Sequence, residues 1–285
     1  MTATKFTAPP SVTHTETPKP KRARKVTRPK PAGDATFAVL HDRRIAYTEH
    51  LGTGPVYLLV HGIGGNQTDW ARVTERLVET GQHVITVDLP GHGLSAKDRG
   101  DYSLGAMASV LRDLLDYLGH RQAILVGHSL GGGVAMQFTY QFPERCNGLV
   151  LVCSGGLGTE TPKWLRAATL PGSRIVFAAI GSEKTTNSLV WGCRQLARVG
   201  IEPQLVNPQM VEKLSEFGDS DTREAFLATL RSVVDVSGQR VTALGKLASM
   251  EDLPVLLIWG ARDPVIPLHH GERAAEAIPN SELVV

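Results

Sequence analysis

The chain has 285 residues, 42% of them hydrophobic, and a formal net charge of +2 at pH 7. That length fits one large α/β domain with an insertion, or two small domains. No apolar run approaches the roughly 18 residues of a bilayer-spanning helix, and residues 1–12 are too polar for a secretory signal peptide, so no transmembrane helix is expected and the expected location is cytoplasmic.

The charge is unevenly spread. Residues 1–35 hold eight Lys/Arg against Glu16 and Asp34, six of the 17 prolines and a single aromatic, Phe6; the remaining 250 residues carry a net charge of −4. Such a segment cannot bury a core and reads as a disordered basic, Pro-rich tail. Two readings stay open for it: weak contact with an anionic surface, with no specific nucleic-acid partner, and a solvated extension with no partner. From Thr36 the pattern changes. Thr36–Leu40 and Arg44–His50 alternate as two strands of a hairpin. Short apolar runs follow at 56–60, 84–87, 123–126, 149–152 and 255–258. Runs that are apolar on both alternating faces are what buried parallel strands look like. Helical patterns separate them at Trp70–Glu79, Leu104–Leu118 and Leu130–Phe142. The alternation predicts a mostly parallel sheet with helices on both faces, built from residues 36–153 and 251–285. Residues 154–250 interrupt the rhythm. Connections in α/β units are normally a few residues long, so this stretch, mostly helical in pattern, reads as an inserted helical cap. The three cysteines, Cys146, Cys153 and Cys193, have no metal-site spacing and read as reduced thiols.

Three motifs carry chemistry. Gly127-His128-Ser129-Leu130-Gly131 follows a strand and opens a helix, the context in which G-x-S-x-G exposes a serine nucleophile on a tight turn. Side chains at the two flanking glycines would meet neighbouring backbone. His61-Gly62-Ile63-Gly64-Gly65 follows the strand at 56–60 and can aim an amide at a developing oxyanion; the candidate donors are the N–H groups of Ile63 and Leu130. Asp263, just past the strand at 255–258, sits where a carboxylate could orient a histidine and stabilise its charged form; as a turn residue before Pro264 it also has an ordinary structural reading.

Together with Asp88-Leu89-Pro90-Gly91-His92-Gly93-Leu94-Ser95 and the run from Gly260 to Pro267, these motifs resemble the α/β-hydrolase family, in the capped branch that includes carboxylesterases, lipases and carbon–carbon bond hydrolases. The resemblance spans Thr36 to Val285. It implies an eight-stranded sheet with a helical cap after the sixth strand, and a structural role for the Asp88–Ser95 loop. It also implies hydrolysis of a carboxylic ester or related acyl bond of an apolar small molecule, with no metal and no organic cofactor. Serine at position 129 sets the chain apart from family members with an aspartate nucleophile. Hydrolysis of carbon–carbon bonds in ring-cleavage products and cofactor-free haloperoxidase chemistry also use serine and stay open, as does a non-catalytic ligand binder.

One departure stands out. The family order is Ser, Asp, His, with the histidine beyond the next helix, here His270–Ala277, and beyond the last strand, which begins at Ser281. Only His269 and His270 follow Asp263, at the wrong end of that helix. The catalytic histidine is therefore expected to be absent from this sequence, which reads as a fragment with an incomplete last strand or as a chain that has lost catalysis. Either reading makes these 285 residues by themselves inactive. His61 is expected to support the oxyanion loop, and His128 to point away from Ser129.

Overall fold

The computed structural model describes residues 35–198 and 208–285; the tail expected over residues 1–35 lies outside the described residues except for its last residue, as does the side chain of Cys193. Eight strands form the central sheet: β1 (Thr36–Leu40), β2 (Arg43–His50), β3 (Val56–Val60), β4 (His83–Val87), β5 (Ala123–His128), β6 (Cys146–Val152), β9 (Val255–Ile258) and β10 (Ser281–Val284). A separate two-stranded ladder pairs β7 (Val234–Asp235) with β8 (Gly238–Gln239). The sheet order is β1-β2-β4-β3-β5-β6-β9-β10. The ladders β1–β2 and β2–β4 are antiparallel and the others are parallel. The first hairpin turns on His41 and Asp42, both at positive φ (50° and 61°), the backbone a two-residue turn needs to match strand twist. β10 pairs residue for residue with β9 from Ser281↔Val255 to Val284↔Ile258.

The helices are α1 (Ala71–Glu79), α2 (Leu104–Tyr117), α3 (Leu130–Gln141), α4 (Lys163–Ala167), α5 (Ser173–Ile180), α6 (Glu183–Arg198), α7 (Pro208–Glu216), α8 (Ser220–Val233), α9 (Leu244–Ala248) and α10 (Leu268–Ala277). Among the described residues no helix is long and apolar enough to cross a membrane. The period-2 alternation of the strands divides the core. Leu58, Val60, Ile85, Val87, Leu125, Leu149, Leu151 and Leu257 face the layer that holds Met107, Leu111 and Leu114 of α2 and Val134 and Phe138 of α3. Leu59, Val84, Val126 and Val150 face the other side, with Trp70 and with Leu77 of α1. The predicted mostly parallel sheet with helices on both faces is thus what forms.

Between β6 and β9 the chain builds a unit with an apolar cluster of its own: Leu165, Ala168, Phe226, Leu227, Leu230 and Val234, with Phe177 and Phe217 packed against it. The rings of Phe177, Phe217 and Phe226 lie 4.8–5.4 Å apart, centroid to centroid, a spacing that favours tilted aromatic pairs. The sequence pattern of this stretch is helical, but it also contains the β7–β8 hairpin. Two-residue strands are too short to register as alternation. That hairpin reaches back to the loop leaving β6. The Gln239 amide donates to the Thr159 carbonyl (2.9 Å), and the Gln239 side chain accepts from the Gly156 amide and donates to the Glu160 carbonyl (3.3 Å). The Ala243 amide, just beyond, donates to the Gly156 carbonyl (2.8 Å).

Candidate active site

β5 ends at His128, and Ser129 follows at φ 53°, ψ −114°, a conformation that a residue with a Cβ adopts only at a cost of order 1–3 kcal/mol. Four hydrogen bonds hold it there: the Ser129 amide donates to the Val152 carbonyl (3.1 Å), and the Ser129 carbonyl accepts from the amides of Gly132 (3.1 Å), Gly133 (3.3 Å) and Gly155 (3.0 Å). The glycines explain why the turn can close. A Cβ on Gly127 would lie 2.3 Å from the Gly131 carbonyl oxygen, and one on Gly131 2.2 Å from that of Val60. Ser129 leads directly into α3, whose first amides have no partner inside the helix.

The loop after β3 faces this turn. A Cβ on Gly62 would meet both the His128 ring (2.9 Å) and Ser129 Cβ (3.3 Å). His128 thus packs against the loop at Gly62. His61 fixes the loop. It is fully buried; its Nδ1 donates to the Gly62 carbonyl (2.7 Å) and its Nε2 accepts the Leu89 amide (3.0 Å). Burial pushes its pKa down to about 4, against the opposing effect of the bond to Gly62. The ring is thus neutral, with its proton on Nδ1, and it ties the loop after β3 to the Leu89 backbone. Its neighbour His92 lies 5.3 Å away between ring centroids and is pushed down to about 3, again chiefly by burial.

Asp88 and Ser95 organise the next loop. Asp88 accepts the amides of Gln67 (2.6 Å) and Leu94 (2.8 Å), and Ser95 Oγ donates to the Asp88 carbonyl (2.6 Å) while accepting the Ala46 amide (2.9 Å). All of these bonds are internal to the scaffold.

Asp263 lies beyond β9. Its Oδ1 accepts the amides of Val265 (2.8 Å) and Ile266 (3.0 Å). Burial acts to raise its pKa, but those amides and the Cys153 thiol outweigh it and hold the carboxyl below the usual range. Cys153 is itself in a left-handed conformation, φ 41°. Its thiol is pushed up to about 11, by burial first and by Asp263 as well. Cys146 and Cys153 are both free thiols.

Ser129, Ile63 and Leu130 border one cavity of about 110 Å³. Its walls come from the core (Leu104, Gly133, Val265, Ile266) and from the inserted unit (Trp164, Leu165, Leu230, Val233). Among the described lining residues there is no lysine, arginine or histidine; the polar groups are Ser129, Thr161 and Gln239. A larger cavity, about 230 Å³, lies over Thr48, Thr86 and α1 and contains no nucleophile in a strained turn. Chemistry therefore singles out the smaller one. Among the described residues no histidine hydrogen-bonds to Ser129 or to Asp263. His269 and His270, on the first turn of α10, are engaged instead with Glu160 (3.3 and 2.6 Å), a partner whose proximity across 110 residues leaves no trace in sequence spacing.

Comparison with known proteins agrees with this architecture. Residues 55–285 match the family model described as the alpha/beta hydrolase fold. A Mycobacterium tuberculosis protein of uncharacterized function is 39% identical over 251 residues, 87% of this chain and 73% of its own length. A 2-hydroxy-6-oxononadienedioate/2-hydroxy-6-oxononatrienedioate hydrolase of Burkholderia vietnamiensis is 30% identical over 257 residues, 85% and 82% of the two chains. The crystal structure of a hydrolase from Pseudomonas aeruginosa superposes with a TM-score of 0.66 at 24% identity, covering 89% of this chain and 90% of the other.

Proposed function

Because this chain belongs to the alpha/beta hydrolase fold family, we propose that its site serves a serine hydrolase that cleaves a carboxylic ester or related acyl bond of an apolar small molecule. The observation that carries the reading is the meeting of Ser129 with Ile63 and Leu130 around one apolar cavity. Ser129 Oγ attacks the carbonyl carbon. The amides of Ile63 and Leu130 receive the oxyanion, a type of stabilisation usually worth about 3 kcal/mol or more per donor. An imidazole takes the serine proton and returns it to the leaving alcohol, with Asp263, held ionised by its two amides, orienting that imidazole and stabilising its charge. Water then releases the acyl group. The inserted unit acts as a cap, keeping the acyl chain dry against Trp164, Leu165 and Leu230.

The Burkholderia relative keeps carbon–carbon bond hydrolysis of an acidic ring-cleavage product as a second reading. Against it stands the absence of any cation among the described lining residues, since a buried substrate carboxylate needs a partner. The test is hydrolysis of p-nitrophenyl butyrate by the full chain and by Ser129→Ala, each with and without added imidazole. Turnover that depends on Ser129 in either condition supports the reading, and dependence on added imidazole would show that the base is not supplied by the chain. Lack of an activated base costs on the order of a million-fold in turnover. A folded chain with no Ser129-dependent turnover in either condition would overturn the reading in favour of a ligand binder on the same scaffold. Turnover of a vinylogous diketone acid in preference to the ester would favour the second reading.

A further inference from the structure

At the other end of the sheet from Ser129, three side chains converge on one point. His83 is the first residue of β4, Glu49 lies near the end of β2, and His120 stands three residues before the first residue of β5. Ser129 follows the carboxyl end of β5, whereas this cluster sits at the amino ends of β4 and β5. His83 Nε2 and His120 Nε2 each lie 2.9 Å from the same oxygen, Glu49 Oε1. The rings approach edge to face, 4.5 Å between centroids, and the three ligand atoms all lie within 4.8 Å of one another. We propose that Glu49, His83 and His120 form a binding site for a borderline divalent cation, Zn²⁺ foremost, remote from the hydrolytic centre.

The donor set selects the ion. Two imidazole nitrogens and one carboxylate oxygen suit Zn²⁺, whereas Mg²⁺ and Ca²⁺ want oxygen shells. The required rearrangement is small. Zinc bonds of about 2.0–2.1 Å in a tetrahedron place ligand atoms roughly 3.3 Å apart, so the observed 2.9 Å separations open by about 0.4 Å as the ion replaces two N–H···O bonds to one oxygen. Among the described residues the ion-pair partners of Glu49 are these two histidines, so no lysine or arginine competes for its charge. Each ring must then carry its proton on Nδ1. His120 is about one-fifth exposed, within reach of water. His83 gives up only a long contact in which its Nδ1 accepts the Gly52 amide at 3.5 Å.

The second cluster of this composition, Glu160, His269 and His270, is less suited. Arg273 stands 3.6 Å from Glu160 Oε2 and opposes a cation. His270 Nδ1, which would have to carry the proton, is buried without a partner, and a buried unpaired donor costs about 1–3 kcal/mol.

The experiment is calorimetric titration of the EDTA-treated, dialysed full chain with ZnCl₂, together with thermal melts with and without the ion. The expected result is one equivalent bound through this cluster and a raised melting temperature, no comparable response to MgCl₂, at least tenfold weaker binding in both Glu49→Gln and His120→Ala, and unchanged binding in His269→Ala. His120 lies in a partly exposed connection, so His120→Ala remains informative should Glu49→Gln fail to fold. Absence of zinc binding at millimolar concentration, an equal response to magnesium, or binding that survives His120→Ala but disappears in His269→Ala would each overturn the proposal.

Discussion

Three consecutive glycines open α3, and the structure predicts that alanine at two of them has effects of opposite sign. A Cβ on Gly131 would stand 2.2 Å from the Val60 carbonyl oxygen and 2.5 Å from that of His61. The first oxygen belongs to the last residue of β3 and the second to the residue after it, so α3 or the loop after β3 must move by about 1 Å. Overpacking of this kind costs about 1–3 kcal/mol or more, against which alanine regains up to about 1 kcal/mol of helix propensity. A Cβ on Gly133 would meet Leu104 methyl groups at 3.6 Å and the Gly155 carbonyl oxygen at 4.0 Å, ordinary contacts, so Gly133→Ala keeps the propensity gain with no steric loss. At about 2–4 °C per kcal/mol for a domain of this size, a net loss of about 2 kcal/mol puts Gly131→Ala roughly 4–8 °C below the parent, and a gain of about 1 kcal/mol puts Gly133→Ala roughly 2–4 °C above it. Circular dichroism melts at one pH and protein concentration read both. Equal melting temperatures for the two variants, or a Gly133→Ala that falls below Gly131→Ala, would refute the reasoning, since helix propensity alone treats the two sites alike.

Further outcomes follow from other contacts. His61 and His92 are neutral in the fold and titrate near pH 6.5 when unfolded, so the unfolded chain binds more protons below that value. Stability should be constant above pH 6.5 and fall as the pH drops toward 4, by up to on the order of 3 kcal/mol for His61; urea midpoints at pH 7, 6 and 5 check this, and a flat profile would contradict it. Ser95→Ala leaves the buried Ala46 amide and the Asp88 carbonyl without their hydroxyl partner and should lower stability by about 2–3 kcal/mol in urea unfolding. Leu230→Ala, at a fully buried site that also lines the Ser129 cavity, should cost about 2–5 kcal/mol and enlarge the cavity, measurable as a shift of preference toward bulkier p-nitrophenyl esters.

The sheet and the serine turn were legible because each rests on local chemistry. Parallel strands buried on both faces must be continuously apolar, as at Leu58–Val60 and Leu149–Val152, and the turn at Ser129 demands glycine at positions 127 and 131. The place of Asp263 just past a strand was legible too, though its bonds to the Val265 and Ile266 amides were not. What escaped depends on contacts between distant segments. The β7–β8 ladder has two residues a side, too few for a period. Glu160 meets His269 and His270 only because α10 packs against the loop leaving β6. His128, assigned to a variable turn position, stands against Gly62 because two loops from different strands close on each other there, which no local pattern encodes.

The β7–β8 hairpin also restricts how a ligand can reach Ser129. By clasping Gly156, Thr159 and Glu160 it rivets the strand of chain that leaves the core to the strand of chain that comes back. A flap hinged at those two crossings would have to shear at least four hydrogen bonds before it moved. On the cavity's wall Trp164 is 60% exposed: with both crossings tied, the unit behaves less as a door than as a fixed awning.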